Sequence, residues 1–216
     1  MKTWDKLLSC LIIAGVFITG YFGYQWWLGF QSVESLPAKA VETWNRTPHV
    51  ETMERTIDAT EAREESPVMS NENTTYEEGE EIGRLVIPRI EKRFYTYWGA
   101  DDETLDRGVG LYVSKWTTTP DQEGLTVLSG HRDTVFTNLD QVETGDSIFL
   151  EFEQKRYEYQ VEDIWITDAE DRTVIVEKDE AALTLTTCYP FDFVGSAPDR
   201  YIIESTLVGV GEIGKR

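Results

Sequence analysis

From Leu7 to Phe30 the chain runs 24 residues without a charged side chain. As a helix at about 1.5 Å per residue, this stretch spans about 36 Å, enough to cross a bilayer core of about 30 Å. Lys2 and Lys6 precede it, Glu34 follows it, and Tyr21, Tyr24, Trp26 and Trp27 cluster near its far end. Basic residues on the near flank predict a cytoplasmic N-terminus, and the aromatic residues fall where an interfacial belt belongs. A cleaved secretory signal competes with this reading, because Ala38-Lys39-Ala40 resembles a cleavage site. The apolar stretch exceeds the roughly 7–15 residues of a signal core, which favours an uncleaved single-pass anchor at residues 1–30. Everything beyond it is then expected outside the cell.

Residues 31–82 carry 13 acids and 4 bases, show no strong apolar periodicity, and end in Glu77-Glu78-Gly79-Glu80-Glu81. Low hydrophobicity with excess charge predicts a solvated linker holding the next unit away from the membrane. Frayed helices over Leu36–Arg46 and Thr52–Glu65 would serve the same purpose. Residues 83–216 hold 26 acids and 14 bases and are rich in short β-type runs between turn signals. These are Arg84–Ile87, Arg93–Trp98, Gly110–Ser114, Leu125–Ser129, Ser147–Glu153, Tyr157–Thr167, Arg172–Val176, Ala182–Thr187 and Arg200–Val208. Tyr157-Glu158-Tyr159-Gln160-Val161 alternates as a half-buried strand does. Two short helices are expected, one starting near Asp101 with Leu105 packing inward and one over Phe136–Val142. Many strands and few helices predict an all-β domain, either a closed barrel or a sandwich.

The whole chain has a formal charge of −20, a field that repels phosphate backbones and excludes nucleic acid as a partner. Two cysteines, Cys10 and Cys188, cannot make a disulfide framework, and with His49 and His131 they leave little for a zinc site. The domain beyond residue 82 holds one cysteine, Cys188, and one histidine, His131. Composition alone would make them a buried thiol and a structural histidine. Their positions argue otherwise. Cys188 ends the run Ala182-Leu183-Thr184-Leu185-Thr186-Thr187, and His131 ends Leu125 to Gly130. A strand end facing a loop holds a side chain that is both rigid and reachable, as a nucleophile with its acid–base partner must be. Arg200 begins a third run, after Ser196-Ala197-Pro198-Asp199. Its guanidinium offers permanently charged donors for an oxyanion, or else it is a surface arginine paired with Asp199 or Asp192.

Motifs separate those alternatives. Thr184-Leu185-Thr186-Thr187-Cys188 resembles the Thr-Leu-x-Thr-Cys signature of sortases. Leu128-Ser129-Gly130-His131-Arg132-Asp133-Thr134-Val135-Phe136 is similar to their histidine segment, and Ala197-Pro198-Asp199-Arg200-Tyr201-Ile202-Ile203 to their arginine strand. Histidine, cysteine 57 residues on and arginine 12 residues further follow in the family's order. The resemblance covers about Arg84 to Val208. Thr-Cys-Tyr-Pro-Phe with the downstream Ala-Pro-Asp-Arg-Tyr looks most like class D sortases of Gram-positive bacteria. One departure lies at Pro120-Asp121-Gln122-Glu123-Gly124-Leu125, where relatives often carry a Pro-Gly-x-x-Gly-Asn turn.

The resemblance implies an eight-stranded sortase-type β-barrel and a cysteine transpeptidase. Its substrates would be secreted proteins with a C-terminal Leu-Pro-x-Thr-Gly-like sorting signal. Cys188 would attack the threonine carbonyl, His131 would protonate the departing amine, and Arg200 would hold the oxyanion or the substrate backbone. An amine from a peptidoglycan precursor or a pilin lysine would resolve the thioacyl-enzyme. A thioester conserves acyl energy, so no cofactor is expected; the many acids leave room for calcium, yet no ligand spacing stands out. Rival readings are an extracellular cysteine peptidase, an L,D-transpeptidase (whose compact Ser-His-Gly-Cys segment is missing here) and a non-catalytic surface module.

Overall fold

The computed structural model describes residues 2–31, 33–37, 76–192, 195 and 197–213. Most of the expected linker, His49 and both frayed-helix segments nearly whole, lies outside the described residues. Lys2–Gln31 forms a single helix, α1, on which Leu8, Leu11, Ile13, Phe17 and Phe22 are exposed. Counted over the described residues alone, no helix is long and apolar enough to cross a membrane.

Among the described residues nine strands form one sheet. They are β1 (Val33–Ser35), β2 (Glu81–Ile87), β3 (Lys92–Trp98), β4 (Val109–Leu111), β5 (Leu125–Ser129), β6 (Ser147–Phe152), β7 (Lys155–Asp168), β8 (Ala182–Tyr189) and β9 (Asp199–Glu212). Their order is β1-β3-β2-β6-β7-β9-β8-β5-β4, and β4 returns to pair with β3. That pairing closes β2 to β9 into an eight-stranded barrel, the closed alternative of the two architectures that strand number allowed. Two neighbours in the ring run parallel, β3–β4 and β5–β8, and the rest antiparallel.

The interior is filled from alternate positions of every strand, as the two-residue period requires. Leu85, Ile87, Phe94, Leu128, Leu150, Tyr159, Leu183, Leu185 and Ile203 belong to this core. β8 is buried on both faces from Ala182 to Thr184, so its run reads as nearly continuous rather than alternating. The outer cover comes from the β7–β8 connection. Ile175 packs on Leu125, Val127 and Ala182, and Lys178 pairs with Glu204 of β9 at 2.6 Å.

Three details differ from the sequence-based expectation. Arg172–Val176 is not a strand. The Asp171 carboxylate accepts from the Thr173 N–H at 2.8 Å and from the hydroxyls of Thr167 and Thr173. Such a local side-chain turn outcompetes a ladder despite the β-type composition. Phe136–Val142 contains only a 3₁₀ turn, Leu139–Gln141. Phe136, Leu139 and Val142 are all buried, and their three-residue spacing suits a 3₁₀ turn that stacks i and i+3. The helix near Asp101 does form, as α2 (Asp102–Arg107), but Thr104 is its buried residue and Leu105 is half-buried.

Two segments ahead of Gly83 touch the barrel. β1 pairs with β3 (Val33 opposite Phe94), and the Leu36 N–H donates to the Glu91 carbonyl at 2.8 Å. Tyr76 lies 5.3 Å from the Trp98 ring and 6.0 Å from the Phe152 ring, and its hydroxyl donates to Glu153 at 2.5 Å. Burial first, then the Glu153 contact, push its phenol well above the usual range.

Candidate active site

The pairing of β5, β8 and β9 decides what lies beside what. Cys188 is the direct antiparallel partner of Arg200. Directly opposed residues share a face, with Cβ atoms about 4.5–5.5 Å apart. On the other side of β8, Ser129 is level with Thr186 in the parallel β5–β8 ladder. The Gly130 N–H continues that ladder by donating to the Thr186 carbonyl at 3.3 Å, and the buried Thr187 hydroxyl donates to the Gly130 carbonyl at 2.7 Å. His131 follows two residues beyond Ser129, past the end of β5, which carries it toward the Cys188 end of β8. Cys188 and Arg200 thus face each other across β8 and β9, and His131, in the bend just past the end of β5, completes a row at that end of the sheet.

The row faces outward. Leu183 and Leu185 point into the core, whereas Ala182 packs on the outer cluster with Leu125 and Val127, so even-numbered positions of β8 face out. Cys188 is a free, half-buried thiol. The His131 side chain is 36% exposed, open to a ligand. Gly130 has to be bare, because a Cβ there would meet the Phe136 ring at 2.8 Å. Phe136 in turn packs edge-on against Phe94 in the core, 5.5 Å between centroids. The bend that presents His131 is thus held from beneath by the barrel interior.

Arg200 donates to the carbonyls of Asp199 at 3.0 Å and Ala197 at 3.4 Å. Both partners are neutral carbonyls, on its own strand and the loop before it, and both are reached by the same guanidinium nitrogen. Below the row, Tyr189, Phe191 and Tyr201 form an aromatic cluster with centroids 5.2–6.2 Å apart. Burial, with Asp140 a lesser cause, raises the Tyr201 phenol, so that ring stays protonated and neutral.

Sequence reasoning missed the parts that tertiary contact supplies. Asp106 of α2 brings its Oδ1 to 3.5 Å from His131 Nε2. Arg132 donates to the Gly195 carbonyl at 2.9 Å, tying the histidine bend to the β8–β9 loop. Among the described residues, no group of three or more His, Cys, Asp or Glu is placed to hold a metal ion. Cys10, the other thiol, is exposed on α1.

The sortase domain family profile matches residues 85–208, more than half of the chain. The chain belongs to the sortase family. Sortases are cysteine transpeptidases, and the matched segment contains all three residues of the row. Over 128 residues the chain is 41% identical to Sortase D of Bacillus subtilis (strain 168), covering 59% of this chain and 64% of that protein. The match thus spans less than two-thirds of that relative. The catalytic domain of SrtD from B. anthracis is 52% identical with a TM-score of 0.57, covering 72% of this chain and 99% of that domain. These likenesses put the sortase in class D, as its Thr-Cys-Tyr-Pro-Phe segment suggested. A sortase C from Clostridium perfringens, solved with the C-terminal cell wall sorting motif, is 26% identical with a TM-score of 0.55; 62% of this chain and 73% of that one are covered.

Proposed function

We propose that this sortase is a membrane-anchored, extracellular transpeptidase that cuts a Leu-Pro-x-Thr-Gly-like sorting signal after threonine. It then joins the released acyl group to an amine. The observation that carries this reading is Cys188 directly opposite Arg200, with His131 in the bend just past the end of the neighbouring strand β5. The solved sortase C with a sorting motif supports the substrate class.

The chemistry follows from the row. The Cys188 sulfur attacks the threonine carbonyl as its proton passes to His131, and a tetrahedral oxyanion develops. Arg200, directly opposite Cys188, supplies the positive charge and N–H donors that favour it. Collapse breaks the peptide bond, His131 returns the proton to the departing amine, and a thioester to Cys188 remains. An acceptor amine repeats the sequence in reverse, losing its proton to His131 and restoring the free thiol. Residues 1–30 would anchor the enzyme and residues 31–82 would space it from the membrane, supported by the charge-free run and the exposed apolar side chains of α1. The acceptor is a cell-wall peptide amine or the lysine of another surface protein.

Mass spectrometry of the products from a panel of sorting-signal peptides, each offered several amines, tests the proposal. Amide products after threonine are the expected outcome. Hydrolysis alone, whatever the amine, would favour the cysteine-peptidase reading.

A further inference from the structure

We propose that Asp106 is a positioning residue that holds the His131 ring in the tautomer and orientation the reaction needs. This rests on the reading of His131 as the acid–base group.

The carboxylate is delivered by an element fixed on both sides. At its start, the Asp101 side chain accepts from the N–H groups of Glu103 at 3.0 Å and Thr104 at 3.2 Å, and from the Thr104 hydroxyl at 2.5 Å. That hydroxyl is the main cause holding the Asp101 carboxyl below its ordinary range. In the middle, Leu105 sits flush on β4. A Cβ on Gly110 would come 3.0 Å from Leu105 Cδ2 and 2.4 Å from the Gly99 carbonyl, so only glycine admits the helix this close. At its end, Arg107 donates to the Gly79 carbonyl at 2.8 Å and lies 4.5 Å over the Tyr97 ring. Asp106 lies between those two anchors. Gly110 pairs with Ser129, two residues before His131, so a helix seated on Gly110 reaches the histidine bend.

The Nε2–Oδ1 separation of 3.5 Å is long for a hydrogen bond. Catalytic contacts in ligand-free enzymes are often long and tighten when substrate binds. A carboxylate facing Nε2 favours the proton there. It leaves Nδ1 to exchange the proton with sulfur and leaving amine, because the bond made by one ring nitrogen sets the state of the other.

The test uses the full chain. Nitrogen NMR of the His131 ring is compared in wild type and Asp106→Asn, with His49 assigned by its own substitution. Turnover is compared for wild type, Asp106→Asn, Asp106→Glu, His131→Ala and the Asp106→Asn/His131→Ala double variant. The proposal expects the wild-type ring, in its neutral form, to carry its proton at Nε2, with that preference lost in Asp106→Asn. It expects kcat to fall about fivefold at constant KM, the upper end for an exposed charge contact, with Asp106→Glu recovering at least half. In the His131→Ala background, Asp106→Asn should add nothing, because residues acting as a unit are not additive. An unchanged ring signal, or a second loss in the double variant, would overturn it. If His131→Ala turns over like wild type, the catalytic reading of His131 fails, while the ring signal still judges the placement by Asp106.

Discussion

Thr187 is the point where stability and chemistry meet, and replacing it by valine isolates one hydrogen bond. Valine has nearly the same shape and keeps the β-branched packing, so the core around position 187 stays filled. What goes is the hydroxyl that donates to the Gly130 carbonyl at 2.7 Å in a buried setting. Thr187 is 3% exposed, so water cannot replace the lost donor. Leaving a buried carbonyl without that partner costs about 1–3 kcal/mol. A domain of this size loses about 3–4 °C of melting temperature per kcal/mol, so Thr187→Val should melt about 7 °C lower. Thr187→Ser keeps the donor and should fall by a smaller amount, roughly 1 kcal/mol for a lost methyl group. The same bond sets the spacing of the residues that follow, His131 after Gly130 and Cys188 after Thr187. Turnover of a sorting-signal peptide by folded Thr187→Val should therefore drop about 10–100-fold, as small misplacements of reacting groups do. Differential scanning calorimetry and product formation measured on the same preparations decide the matter. A valine variant that melts within about 1 °C of wild type and retains full turnover would refute both the buried-bond argument and the coupling of that bond to the site.

Four further outcomes are expected. Cys188→Ala should form neither acyl-enzyme nor product by mass spectrometry, while Cys10→Ala keeps the wild-type rate; product above background from Cys188→Ala would remove the nucleophile. His131→Ala should lose about 10²–10⁴-fold in turnover and His49→Ala nothing, so equal defects in the two variants would overturn the division into spacer and catalytic domain. Arg200→Ala should lose about 10²–10³-fold with an unchanged melting temperature, and Arg200→Lys should recover only part, since it keeps charge without the planar fork; turnover within about threefold of wild type would leave a Cys188–His131 pair alone. A fragment beginning at Tyr76 should fold and turn over peptide, whereas one beginning at Gly83 should melt several degrees lower, because aromatic pairs such as Tyr76–Trp98 contribute about 0.5–1.5 kcal/mol each. Circular dichroism showing identical melts would sink the importance of Tyr76.

The strands were legible where one face meets the core and the other meets water. The Leu125–Ser129 run coincides with β5, and Tyr157–Thr167 lies within β7, two residues short at its start and one at its end. The period failed where local side-chain bonding won, at Asp171 to Thr173. It failed again where packing chose a tight turn over a helix, at Leu139–Gln141. Cys188, His131 and Arg200 could be picked out because each sits at the end of a run and inside a motif. Nothing local marks Asp106, which lies on a different element and reaches His131 only after α2 settles on Gly110. The Thr187–Gly130 bond was equally silent, since it joins residues 57 apart. Val33–Ser35 could not be read as a strand, because three residues carry no period of their own.

The parallel β5–β8 ladder has a temporal consequence. Antiparallel neighbours can zip from a hairpin, but a parallel pair must bring distant stretches together and meets its loop-closure cost before any contact rewards it. Such non-local pairing is intrinsically slow to form. β5, which leads into His131, and β8, which carries Cys188, are neighbours only through that ladder, so before it forms the two side chains have no fixed relation. On the proposed roles of Cys188 and His131, acylating power therefore arrives only once that ladder has formed.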